Sequence, residues 1–144
     1  MPSFGAAKTA RPSASPLAAM QSYASPGRSA DFEVRYRFLT PGEGGRSSPP
    51  RQHIRFDFLY EGDDPQRDGV FMIWPEFIDD EGHPRPDGEV PVEGLAHMFI
   101  LVPEMRPKHQ RRISVGARGF MVEGPKRVAE CQVTRVLGLA AHGS

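Results

Sequence analysis

The side chains of this chain best suited to chemistry are its cations. The densest run is Arg106-Pro107-Lys108-His109-Gln110-Arg111-Arg112, and a further cation, Arg46, follows directly on Gly44-Gly45. Grouped cations neutralise phosphates, and binding built on them weakens steeply with salt. A guanidinium adds geometry, because it grips a phosphate through two parallel hydrogen bonds. Arg46, Arg106, Lys108, Arg111 and Arg112 are therefore candidate residues for contact with RNA or an acidic protein. The competing reading of the 106–112 run is a solvated loop, since Met105 and Phe120 give it little of the aromatic stacking that single-strand binders use. Trp74 is a candidate of another kind. It stands before Pro75 at the end of a strand-like run, where a tryptophan serves either as core or as the anchor of a partner.

Other chemistry finds less support. The chain carries no Gly-x-x-x-x-Gly-Lys-Ser/Thr loop, so no bound nucleotide is expected. The histidines, His53, His83, His97, His109 and His142, include no helical metal pair and no His-Glu-x-x-His run. Asp63, Asp64, Asp68 and the stretch Asp79-Asp80-Glu81 do not alternate with the spacing of a calcium loop. There is no Gly-x-Ser-x-Gly elbow. The single cysteine, Cys131, excludes an internal disulfide and a Cys-rich zinc site, and its strand-like surroundings favour a small buried apolar role. We therefore expect no catalysis, no cofactor and no metal.

The elements that must position these residues read as strands. Phe32, Val34, Tyr36 and Phe38 alternate with polar residues, as do Ile54, Phe56, Phe58 and Tyr60. That period of two marks strands with one buried side. The expected strands are 32–39, 53–60, 69–74 (stopped by Pro75), 96–102 (stopped by Pro103), 112–117 with an extension toward 122, and 127–137. A long acidic connection covers 75–95. No segment of ten or more residues shows a capped 3.6 period. Six short strands between turn residues predict an all-β, six-stranded antiparallel barrel, whose closure would protect its edges.

Composition sets the boundaries. Residues 1–30 are rich in Ala, Ser and Pro and carry no acid, which predicts a disordered tail. The barrel is expected over 31–139 and a flexible C-terminus over 140–144. The basic, acid-free start superficially resembles a targeting segment, but Pro12, Pro16 and Pro26 would break the helix such a segment needs. No run of eighteen apolar residues is present, so we expect no membrane contact and a cytoplasmic location. Net charge is zero, yet unevenly spread. Residues 57–104 hold thirteen acids against Arg67 and Arg85, whereas residues 105–139 hold eight cations against Glu123 and Glu130. The two segments either pair with each other or steer a charged partner.

The order of these pieces resembles a known family. A strand opening Phe32-Glu33 leads to Glu43-Gly44-Gly45-Arg46-Ser47-Ser48-Pro49, then Val102-Pro103, Arg112-Ile113-Ser114-Val115 and the ending Val133-Thr134-Arg135-Val136-Leu137-Gly138. Over residues 31–138 this is similar to the third, C-terminal barrel domain of elongation factor Tu, here without the GTPase domain. The resemblance implies a barrel that meets the acceptor and T-stem of transfer RNA around the Gly-Gly-Arg turn. It implies a partner-binding role for Arg46 and, near a polar position of the family, for His53. The chain departs from the family at Gly116-Ala117-Arg118-Gly119-Phe120 and at Arg127-Val128-Ala129-Glu130-Cys131, where glycines of the family's pattern are missing. The expected function is a non-catalytic binding module of translation-factor type, contacting a protein of the translation apparatus or transfer RNA. An acidic excess over residues 31–144 favours the protein. The alternatives are a small enzyme of unknown chemistry and a homo-oligomeric structural or regulatory barrel unrelated to translation.

Overall fold

The computed structural model describes residues 29–141. The tail expected over 1–30 therefore lies outside the described residues, except for Ser29 and Ala30, as do residues 142–144. Ala30 already belongs to the domain: it is buried, and its carbonyl accepts from Gly138 N–H at 2.9 Å.

The strands are β1 (Phe32–Phe38), β2 (Asp57–Tyr60), β3 (Ile73–Ile78), β4 (Glu93–Ile100), β5 (Arg118–Glu123) and β6 (Lys126–Val136). All pairings are antiparallel, in the order β2-β5-β6-β1-β4-β3. The sheet curls into a half-barrel around one apolar cluster. Phe32, Val34, Tyr36 and Phe38 of β1 meet Phe58 and Tyr60 of β2 and Phe77 of β3 there. Their rings meet edge to face, with Tyr36 and Phe77 4.9 Å apart and Phe58 and Tyr60 5.2 Å apart. Each such ring contributes about 1.5–3 kcal/mol by leaving water. The cluster is what forces the strand alternation.

The free edges of β2 and β3 turn toward each other. Phe58 and Phe71 exchange both backbone hydrogen bonds at 2.8 Å, which joins the end of the sheet to the segment entering β3. Upstream of that pair, a side chain replaces the ladder. The Gln52 amide accepts from Phe77 N–H and donates to Phe77 O and Arg85 O, each at 2.8 Å. Ile54, Phe56 and Phe58 consequently face the core along this seam. His53, Arg55 and Asp57 face outward, against Glu76 and Trp74 of β3.

Several expected boundaries move. Pro75 lies inside β3 and does not end it, because β3 is an edge strand. Pro75 shares the outward-directed side of its backbone with Phe77, whose N–H goes to Gln52 and not to β4, so no ladder bond is lost. β4 begins at Glu93, which shortens the connection to residues 79–92. Regular pairing in β2 starts only at Asp57, since His53 adopts φ 64° and the Gln52 side chain occupies the ladder position. The strand expected over 112–117 is instead the end of a helix and a turn. Short helices α1 (Pro65–Asp68), α2 (Arg106–Arg112) and α3 (Gly138–Ala141) are present, with single turns at Pro41–Glu43 and Pro103–Met105. In α2, Pro107 fits the first turn, where its missing N–H costs nothing, and Arg111 and Arg112 complement the dipole at the last turn. Met105, His109 and Ile113, spaced by four, turn toward the barrel.

Candidate binding surface

The Gly-Gly-Arg turn is built by local chemistry. Thr40 Oγ1 accepts from Glu43 N–H at 3.2 Å while the Glu43 carboxylate accepts from Thr40 N–H at 2.8 Å, a reciprocal cap. Arg37 also grips Glu43, and with Thr40 it holds this carboxyl down at about 2. Gly44 closes the turn at φ 92°. A side chain at Gly45 would overlap the carbonyl of Leu39, so glycine is required there. The turn borders a groove of about 280 Å³ lined by Phe38, Leu39, Pro41, Pro49 and Val92.

Arg46 also lines this groove, but its guanidinium is engaged within the chain. Its Nη1 pairs with Glu123 Oε2 at 2.8 Å, its Nη2 donates to Ser48 Oγ at 3.0 Å, and its side chain is 15% exposed. The guanidinium also lies 5.6 Å from the centre of the Phe56 ring. Two cations of the 106–112 run are engaged in the same way. Arg106 Nη1 binds Asp31 at 2.6 Å, and the other oxygen of that buried carboxylate accepts from Ile100 N–H at 2.7 Å. Arg112 grips Asp63 with two bonds, 2.9 and 3.1 Å, and lies 3.9 Å over Tyr60. Lys108 sits 5.0 Å over Phe71. His109 is buried, with Nδ1 2.7 Å from Tyr60 Oη. Burial, aided by Lys108 and Arg112, pushes this histidine down to about 4, and burial raises the Tyr60 phenol. A neutral imidazole thus faces a protonated phenol. Arg111 alone of the five candidate cations is exposed without a partner among the described residues. Nor do the two basic loci merge. Glu123, which carries Arg46, and Tyr60, under Arg112, lie at opposite ends of the β2–β5 ladder.

Trp74 is half-buried on the outer face of β3. Arg55 stacks on it at 4.6 Å, and its ring N–H bonds Asp57, whose pKa burial nevertheless raises. Beside it, His53 joins two carboxylates: Nε2 lies 2.9 Å from Glu76 Oε2 and Nδ1 lies 3.0 Å from Asp87 Oδ1. A charged row continues across the sheet. His97 stands opposite Glu76 and 3.4 Å from Glu33, which also meets Arg135 at 3.6 Å and accepts from Thr134 Oγ1 at 2.8 Å.

Sequence reasoning missed Gln52, Glu76, Asp87 and Asp31. Glu76 did carry a signal: it is a lone acid in the apolar run Trp74-Pro75-Glu76-Phe77-Ile78, and a buried charge needs a partner. Among the described residues, Asp79, Glu81 and His83 are the best placed to hold a metal ion, with ligand atoms within 4.8 Å of one another. Asp79 Oδ1 is already engaged, accepting from Glu81 N–H and His83 N–H at 2.9 Å. Cys131 is buried, which pushes its thiol up to about 12 and away from reactivity. No helix among the described residues is long and apolar enough to cross a membrane. No protein-family model matches the chain, and no curated protein matches it.

Proposed function

We propose that the chain is a non-catalytic binding module of translation-factor type, acting in the cytoplasm on a basic protein of the translation apparatus. The observation that carries the choice of protein over transfer RNA is the state of the cations. Arg46, Arg106 and Arg112 each hold a carboxylate of the same chain. Recruiting them to phosphates would break those pairs and leave Asp31, which is buried, uncompensated. Two of the five acids of the 79–92 connection are in the opposite state, while Asp79 and Glu81 lie near His83 and Asp87 near His53. Asp80 and Glu89 are exposed and form no ion pair among the described residues. Exposed acids of this kind steer a basic surface into contact and raise its association rate.

Two measurements test this reading. Immobilised protein should capture a basic partner from a lysate after ribonuclease treatment, and the triple substitution Asp80→Lys, Glu81→Lys, Glu89→Lys should abolish the capture. In fluorescence anisotropy at physiological salt, labelled transfer RNA should show no saturable binding. Ribonuclease-sensitive capture, or transfer RNA binding that is lost in Arg46→Ala, would replace the protein reading with the RNA one.

A further inference from the structure

His109 holds an inward position on α2, between Met105 and Ile113, and is 1% exposed. Phe71 meets its ring edge-on with centres 4.8 Å apart, and Tyr60 stacks on it at 5.8 Å, so the ring has little freedom to turn. Nδ1 lies 2.7 Å from Tyr60 Oη. Tyr60 is buried, and its hydroxyl makes no other hydrogen bond among the described residues. The phenolic proton therefore goes to Nδ1, because the reverse arrangement would bury an O–H with no acceptor. A neutral imidazole that accepts at Nδ1 carries its own proton on Nε2.

That N–H has no hydrogen-bond partner among the described residues, although buried donors normally have one. Nor is it sealed in. Among the described residues, Arg106 Nη2 is the one side-chain nitrogen or oxygen that is both fully buried and partnerless. His109 Nε2 thus reaches accessible space. The space that His109 borders is a pocket of about 240 Å³ between the segment entering β3, the end of β4 and α2. Its walls are Val70, Phe71, Met72, Ile100, Val102 and Met105, none of them charged and none with a side-chain N–H or O–H. Val70 and Met72, both exposed, give it an open apolar mouth.

We propose that this pocket binds a small, neutral, mainly apolar molecule with a carbonyl oxygen, and that His109 Nε2–H donates to that oxygen. The site goes beyond the partner surface of the 79–92 connection and stands independently of it. The lining selects this class. A carboxylate would lose hydration with no cation in the walls to replace it, since Lys108 lies over Phe71 without lining the pocket and Arg112 is held by Asp63. A peptide segment would bring several backbone donors and acceptors, and the side chains of the lining answer only one of them. An apolar body with a single acceptor leaves nothing unpaired. An apolar cavity of about 150 Å³ takes one benzene ring, so this pocket has room for a ring and a short chain.

Titration of the full chain at pH 7 with butyrophenone, a phenyl ketone with a propyl chain, followed by nuclear magnetic resonance, tests the site. Saturable shifts should fall on the amides of residues 70–72 and 100–109. Histidine ring spectra should show the His109 proton on Nε2 and its resonance moving downfield as the ketone binds. Butylbenzene, with CH2 in place of the carbonyl, should give no downfield movement. 4-Phenylbutyrate should bind on the order of ten-fold more weakly than the ketone. Val70→Asp combined with Met72→Asp changes only the exposed mouth and should weaken butyrophenone on the order of ten-fold. Absence of saturable shifts, a His109 proton on Nδ1, phenylbutyrate binding as tight as the ketone, or unchanged affinity in the mouth variant would overturn the proposal.

Discussion

Replacing Gln52 with alanine removes the one piece of ladder that continues the seam beyond Phe58 and Phe71. The amide makes three bonds of 2.8 Å, and their loss is unequal. Phe77 O retains the Arg85 N–H at 2.9 Å, and Arg85 O is only partly buried, so each of these costs about 1 kcal/mol or less. Phe77 N–H is buried in the seam, and without Gln52 it has no acceptor, which adds about 1–3 kcal/mol. The expected loss is about 3 kcal/mol, a large share of the roughly 5–15 kcal/mol that holds a domain together. Urea unfolding followed by tryptophan fluorescence should show the midpoint falling by about 2 M at an unchanged slope. Gln52→Glu separates hydrogen bonding from shape. A carboxylate accepts from Phe77 N–H but cannot donate to Phe77 O, whereas a carboxylic acid does both. This variant should be destabilised at pH 7 and regain stability relative to the unsubstituted protein as pH falls toward 4. A loss below about 1 kcal/mol in Gln52→Ala, with no acid recovery in Gln52→Glu, would refute the view that this side chain closes the seam.

Two further outcomes follow from the same geometry. The folded state holds His109 at about 4, whereas an unfolded histidine takes up its proton near 6.5, so this residue supports stability above about pH 6.5 and withdraws it as pH falls toward 4. The withdrawal amounts to about 3 kcal/mol, and thermal denaturation of His109→Phe should lack that portion of the acid loss. Gly45→Ala should cost more than about 3 kcal/mol because a Cβ there overlaps the Leu39 carbonyl, and limited proteolysis should then cut within residues 41–50. Wild-type resistance in that variant would show that the turn has another conformation available.

The strand pattern was legible wherever alternation met a continuous ladder. β1 and β6 lie within a residue of their expected bounds. Along 53–60 the alternation correctly places Ile54, Phe56 and Phe58 inside, although regular pairing begins only at Asp57. What alternation cannot reveal is that a glutamine amide takes over from the backbone at Phe77. Helix α2 escaped notice because its seven residues are mostly cations, and its apolar face reads as Met105, His109 and Ile113 only once His109 is counted as buried. Pro75 misleads as a strand terminator because sequence does not say which side of an edge strand faces outward. The roles of Arg46, Arg106 and Arg112 were hidden for a related reason: their acids lie 77, 75 and 49 residues away.

That separation lets each of these arginines tie together distant parts of the fold. Arg112 lies 3.9 Å over Tyr60, and Asp63 pairs with it through two bonds in the fork geometry a guanidinium prefers. Arg106 reaches Asp31 at the point where that carboxylate also caps Ile100 N–H, so the pair ties α2 to the junction of β1 and β4. Arg46 lies by the Phe56 ring and fixes the Gly-Gly turn to Glu123 at the β5–β6 hairpin. In each case the cation joins elements that the sheet ladder leaves unconnected, a task for which the length and planarity of arginine suit it. The acids of residues 79–92 join less. Asp87 reaches the seam only through His53, and Asp80 and Glu89 meet solvent. Arg46, Arg106 and Arg112 are thus drawn into contacts within the chain, while Asp80 and Glu89 stay exposed on the β3–β4 connection. Of the thirteen acids over 57–104, Asp80 and Glu89 remain exposed in this connection without an ion pair among the described residues.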